Sequence, residues 1–173
     1  MKKLLIVLPI VLLSLAGCEK VDLTEGSPAE LTARETTADA RLKEAKHTVS
    51  VQGTFATLAS PLPSAPGGAV VNGTGQMSHL GKSTFEDFPI LDINALSGTG
   101  TRTITAANGD QLVGTLDIVL VPLTATTFTV QVNFTITGGT GRFTGATGNI
   151  YGTDVLDFNN PAGTASFVGE ITY

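Results

Sequence analysis

The chain has 173 residues, of which 42% are hydrophobic and 14% are charged, with one Cys and no Trp. Its 10 Lys and Arg against 15 Asp and Glu leave no surplus of positive charge for phosphates, so no nucleic-acid partner is expected. A single Cys allows neither an internal disulfide nor a site with several thiolate ligands. The length fits one domain of about 100 to 150 residues with additional segments.

Residues 1–17 have the pattern of an export signal. Two lysines precede an apolar run from Leu4 to Leu15, and the small residues Ala16 and Gly17 follow. As a helix, this run spans roughly 18 Å, which is less than the hydrocarbon core of about 30 Å. A membrane-spanning anchor is therefore disfavoured.

The end of this signal carries the only Cys. Leu15-Ala16-Gly17-Cys18 resembles the lipobox of bacterial lipoprotein signals, which implies cleavage before Cys18, a diacylglycerol on its sulfur and a fatty acyl group on the new amino terminus. Several acyl chains hold a small domain firmly to a bilayer. We therefore expect lipidation at Cys18 and a lipid-anchored protein of the bacterial cell envelope. Glu19, in place of Asp, favours the outer membrane, on its periplasmic or surface face. An ordinary secretory signal is the alternative.

The next segment is rich in charge. Residues 19–46 contain 12 charged side chains and no aromatic residue, and Ser27-Pro28-Ala29-Glu30 is typical of a helix start. The apolar positions form only a thin stripe, so packing contributes little. We predict that residues 18–46, the lipidated Cys and this charged segment, form a helical or disordered tether. A coiled-coil partner helix is the alternative, although the apolar heptads that it needs are missing.

Residues 47–173 hold all ten aromatic residues and 18 of the 20 Gly, and their hydrophobic period is two. From Thr127 to Thr137, apolar and polar residues alternate as in a half-buried strand. Similar segments occupy 76–85, 99–106 and 150–158 and both ends of the region. The segment 111–121 is apolar on both faces except at Asp117, which predicts a strand covered on both sides.

Turn signals separate these segments. Asn108-Gly109 suits a hairpin between 99–106 and 111–121, and Asn160-Pro161 precedes the last segment. No helical pattern interrupts the series. We predict an all-β domain, a small antiparallel, calycin-like barrel of about eight strands, because closure removes exposed sheet edges. A two-sheet sandwich is the alternative.

The most distinctive segment is Ile-Thr-Gly-Gly-Thr-Gly-Arg-Phe-Thr-Gly-Ala-Thr-Gly at 136–148. It resembles the G-G-T-G-x-F-x-x-A-x-G stretch of the dirigent and allene oxide cyclase families. Residues 78–82 and 106–110 also resemble bacterial lipoproteins and secreted proteins with an allene oxide cyclase-like barrel. The resemblance implies a small antiparallel barrel and, from the plant proteins, a homotrimer. The resemblance does not identify a catalytic residue in this sequence. The matching residues are Gly138, Gly139, Thr140, Gly141, Phe143, Ala146 and Gly148.

A structural role is sufficient to explain the glycines of this segment. Gly138 and Gly139 are predicted to form a turn with positive φ, and Gly141 and Gly145 are predicted to allow a bulge or a close crossing. Gly148 belongs to the same structural motif, and Phe143 is expected to plug the barrel end. A phosphate-binding loop is the alternative, but it needs a following helix, and none is predicted.

Few residues of this region are candidates for binding a ligand or for catalysis. Asp117 interrupts an apolar strand, and Arg102, on the preceding strand, lies at a comparable distance from the hairpin turn, so we predict a cross-strand pair. An exterior pair is favoured over an interior pair that would form a polar floor in a cavity. Phe128 and Phe134 are predicted to lie inside with Phe55 and Phe167. The candidate ligand-binding residues are therefore Arg102, Asp117, Phe128 and Phe134.

Metal and cofactor sites are not expected. His47 and His79 lie far apart in the sequence without a cluster of carboxylates, so each is interpreted as a surface residue. The acidic residues Glu86, Asp87, Asp154 and Asp157 are interpreted as loop or strand-end groups, with a general acid as the alternative. No residue can be assigned a catalytic role from the sequence.

Three functions fit these features. The first is a lipid-anchored barrel that binds a small apolar molecule or serves as a scaffold; the second is an isomerase-like or cyclase-like enzyme; the third is a trimerising interaction module. A closed apolar cavity above about 300 Å³ together with a buried pair of Arg102 and Asp117 would favour binding or catalysis. A filled interior with apolar strands outside would favour assembly.

Overall fold

Eight β-strands follow one another within residues 46–173. Each pairs antiparallel with the next, and the last pairs with the first, so the sheet closes into a barrel. The predicted all-β antiparallel barrel of eight strands is confirmed, and the sandwich alternative is wrong. The strands are β1 (Thr48–Pro61), β2 (Ala69–Met77), β3 (Gly81–Asp92), β4 (Ser97–Thr105), β5 (Gln111–Pro122), β6 (Thr127–Gly139), β7 (Thr147–Asp157) and β8 (Ala162–Thr172).

The computed structural model describes residues 46–173. The signal, Cys18 and almost all of the tether lie outside the described residues, and their predictions and domain boundaries stay predictions. Residues 45–173 form a compact unit. This unit contains every described strand and a continuous core, so it can fold without the preceding chain. Within the described part, no helix is long and apolar enough to span a membrane.

Alternation along each strand creates the core. In β6, Phe128, Phe134 and Ile136 are buried inside the barrel, whereas Gln131 and Thr137 are exposed. Burying each large apolar side chain contributes roughly 1.5–3 kcal/mol. Phe55 and Phe167 are buried in the same core, so the predicted interior aromatic residues are confirmed.

Two strand predictions are wrong. The segment 76–85 is not one strand, because β2 ends at Met77 and β3 begins at Gly81, with His79 in the turn at φ 63°. A non-Gly residue in this conformation gives little sequence signal. The prediction that β5 is covered on both sides also fails: Val119 is 52% exposed. The closed sheet is a single layer, so the outward side chains of β5 face away from its core.

One end of the barrel is closed by the Gly-rich segment. A 3₁₀ turn at Gly141–Phe143 follows β6 and places Phe143, which is fully buried, across this end. Its ring lies 5.1 Å from that of Tyr173. Arg142 Nη2 donates a hydrogen bond to the His79 carbonyl at 2.8 Å, and the Arg142 N–H donates to Asp110 Oδ2 at 3.2 Å. These contacts join three turns at what we call the closed end.

The glycines of this segment differ in role. Gly141, Gly145 and Gly148 have positive φ, so these positions favour glycine. Gly138 and Gly139 instead belong to β6 and do not have positive φ, so the turn predicted there is wrong. The chain reverses only after Thr140, because the Thr140 N–H still donates a hydrogen bond to the Gln111 carbonyl of β5.

Candidate ligand-binding pocket

The opposite end of the barrel, which we call the open end, leads into a cavity of about 100 Å³. It lies where β1, β3, β5 and β7 end and where β2, β6 and β8 begin. Its walls are mostly apolar, because inward positions of these strands carry aliphatic side chains. They include Val71, Leu91, Ile118, Val130, Val132 and Leu156.

A second space of about 420 Å³ adjoins the first at the open end. The loop between β1 and β2 contributes Leu62, Pro63 and Ala65 to its lining. Six residues line both spaces, so we treat them as one pocket. The inner space alone is below the 300 Å³ expected of a ligand cavity. The outer space exceeds that volume but is open to solvent, so the two do not form the closed cavity of that size considered above. The shared residues are Ala59, Ala69, Leu91, Leu156, Asp157 and Pro161.

A buried ion pair lies on the pocket wall. Arg102 Nε donates to Asp87 Oδ1 at 2.7 Å, and Arg102 Nη2 donates to Asp87 Oδ2 at 2.6 Å. Arg102 is 3% exposed and Asp87 5%. Arg102 Cζ lies 4.6 Å from the ring centroids of both Phe85 and Phe167, within the range of cation–π contacts. The bidentate geometry and the aromatic rings fix the guanidinium in place.

The predicted pair of Arg102 with Asp117 is wrong, and so is its exterior placement. Arg102 lies opposite Gly114 on β5 and opposite Asp87 on β3, whereas Asp117 lies opposite Thr99. Asp117 is exposed on the outer face of β5. The hairpin pairs Thr105 with Gln111, which shifts Arg102 three positions from Asp117.

Asp154 is a second acidic group in the pocket. The buried Thr57 hydroxyl donates to Asp154 Oδ2 at 2.9 Å, and the Val155 N–H donates to Oδ1 at 2.7 Å. Asp154 is half-buried and lines the cavity with Asp157. The sequence interpretation as a loop or strand-end acid missed this inward position. A signal existed, since Ile150, Gly152, Asp154 and Leu156 alternate with outward residues on β7.

The electrostatics of the pocket centre on Asp87. Burial raises the pKa of Asp87 above its ordinary value, while the hydrogen bonds and charge of Arg102 lower it and the charge of Asp154 raises it further. The net effect is a raised pKa of Asp87. Asp154 is therefore close enough to act electrostatically on the ion pair.

The remaining predicted residues lie nearby or elsewhere. The Phe134 ring centroid is 5.6 Å from Arg102 Cζ, so Phe134 supports the guanidinium from the core. Phe128 packs on Phe158 near the open end, with ring centroids 5.7 Å apart. His79 lies in a turn at the closed end. Among residues 46–173, no three His, Cys, Asp or Glu side chains are grouped to hold a metal ion.

Similarity to known proteins is found among solved structures. No protein-family model matches the sequence, and no curated protein matches it. Among solved structures, the chain is similar to the pterocarpan synthase dirigent protein GePTS1, with 15% sequence identity and a TM-score of 0.47. The match covers 74% of this chain and 89% of that one. At this level the likeness concerns the barrel fold alone.

Proposed function

We propose that the chain is a lipid-anchored protein of the bacterial cell envelope whose barrel binds a small, mostly apolar molecule at its open end. The pocket carries this proposal: apolar walls enclose a few fixed polar groups, as in small-molecule sites. The lipobox-like sequence at Cys18 supports the anchor.

The isomerase-like or cyclase-like alternative has less support from the pocket. A raised pKa would suit Asp87 to a general-acid role. Both Asp87 oxygens, however, accept hydrogen bonds from Arg102. A ligand would have to compete with this bidentate pair, so binding is the better-supported function.

Filling the mouth of the pocket should abolish binding without unfolding the barrel. Ala59 is half-buried and lines both spaces, so Ala59→Trp should weaken binding of the neutral dye N-phenyl-1-naphthylamine about tenfold or more. Ala56 is exposed on the outer face of the same strand and provides the control, Ala56→Trp. A fluorescence titration measures both. Equal affinity in the two variants would place the dye outside the pocket.

The anchor is tested separately. Cys18→Ser should release the protein from membranes and abolish metabolic labelling with a fatty acid, because the thiol is the site of acylation. Glu19→Gln keeps the thiol and should retain the label. The anchor proposal fails if the Cys18→Ser protein stays membrane-bound while the unmodified sequence takes up no label.

A further inference from the structure

We propose that the pocket selects an uncharged molecule with a carbonyl or ether oxygen, which binds the free N–H groups of Arg102, and that Asp154 and Asp157 exclude carboxylates. This inference rests on the proposed function, since it specifies the ligand class of the same pocket. It makes Arg102 a binding residue and the two acids determinants of specificity.

The first argument is the hydrogen-bonding capacity of Arg102. A guanidinium has five N–H donors, and Asp87 accepts two of them. The structure gives the guanidinium of Arg102 no other hydrogen bond to residues 46–173. Arg102 is almost fully buried yet lines the cavity, so its remaining donors can be paired only from the cavity, by water or by an oxygen atom of a ligand that displaces it. A carbonyl oxygen has two lone pairs and meets this need without adding charge.

The second argument is the charge of the pocket. Of the four Lys and Arg among residues 46–173, only Arg102 lines the cavity, and Asp87 already neutralises it. Asp154 and Asp157 add two carboxylates without a basic partner in the described part of the chain. A ligand carboxylate near them would be repelled in a site that is only partly hydrated. These carboxylates would attract an ammonium group, but an ammonium group has no lone pair and would leave the free donors of Arg102 unpaired.

The test compares three ten-carbon probes, 2-decanone, decanoate and decylamine, in competition with N-phenyl-1-naphthylamine for residues 45–173. At low salt and about pH 8, 2-decanone should bind about tenfold more tightly than decanoate, which the two carboxylates repel. It should also bind more tightly than decylamine, which cannot accept a hydrogen bond from Arg102. Asp154→Asn should strengthen decanoate binding about tenfold relative to that of 2-decanone. Asp117→Asn removes the same charge from the outer face of the barrel and is the matched control.

Two further measurements use the unsubstituted protein. Added salt should reduce the discrimination against decanoate by screening. In a ¹⁵N NMR spectrum, 2-decanone should shift the Nε–H signal of Arg102 but not that of Arg142, the other arginine in residues 45–173.

The outcomes separate the two proposals. Decanoate or decylamine binding as tightly as 2-decanone would overturn the ligand class and leave the pocket proposal standing. Equal effects of Asp154→Asn and Asp117→Asn would overturn the role of Asp154, because overall charge would then explain the result. If neither the dye nor any probe binds, both proposals fail.

Discussion

Arg102→Met is expected to destabilise the barrel by about 3–5 kcal/mol at neutral pH, because the substitution leaves Asp87 buried without its ionic partner. Met matches much of the length of the Arg side chain and can pack against Phe85 and Phe167. The loss therefore reports the unpaired carboxylate more than a cavity. Urea denaturation of residues 45–173 measures it.

The stability lost in Arg102→Met should depend on pH. In the unsubstituted protein, burial already raises the pKa of Asp87 above its ordinary value of 3.8, so folding favours the protonated acid. The contribution of this group to stability is then greatest below pH 3.8 and falls as the pH rises through the folded-state pKa. Arg102→Met removes the influence that lowers this pKa. The deficit of the variant should therefore shrink as the pH falls, because protonation discharges Asp87.

A double substitution provides the control. Arg102→Met with Asp87→Leu removes both charges and should recover most of the lost stability, since apolar replacements of buried pairs are often neutral. If Arg102→Met alone lowers the free energy of unfolding by less than about 1 kcal/mol, Asp87 does not depend on Arg102 as a buried ionic partner.

Phe143→Ala is expected to cost about 3–5 kcal/mol, because it empties the space that a fully buried ring fills at the closed end. The ring of Tyr173 and the guanidinium of Arg142 both pack on Phe143. Their contacts would be lost as well. Thermal unfolding with a chemical-denaturation curve measures the change.

Phe88→Ala is the matched control for this second variant. Phe88 lies on the outer face of β3 and is 44% exposed, so its removal should cost less than about 1 kcal/mol. If both variants lose the same stability, Phe143 does not close the barrel in solution.

Periodicity made most of the fold predictable. The alternation in Thr127–Thr137 matches β6, and the Asn108-Gly109 turn joins β4 and β5 as expected. These features are local, since side-chain direction and turn chemistry depend on neighbouring residues. Exposure of Val119 was not predictable in the same way, because an apolar strand in a single-layer barrel has the same sequence pattern as a covered strand.

The pocket was harder to predict, because it depends on which strands are neighbours. Arg102 was singled out from the sequence, but its partner is on β3 and not on β5. The Asn108-Gly109 turn marks the hairpin of β4 with β5 in the sequence, whereas no Asn-Gly or Asp-Gly pair marks the turn between β3 and β4. Asp87 does carry a signal, since it shares the inward register of Phe85 and Leu91. Asp154 carries the same kind of signal on β7.

Methyl NMR of residues 45–173 saturated with N-phenyl-1-naphthylamine tests the pocket most directly, because aromatic rings shift nearby methyl signals strongly. Binding in the barrel predicts large shifts for Val130, Val132 and Leu156, which line the cavity. Val119 and Val168, exposed on the outer face, should stay unchanged. Shifts confined to Val119 and Val168, or no shifts at all, would contradict a ligand site inside the barrel.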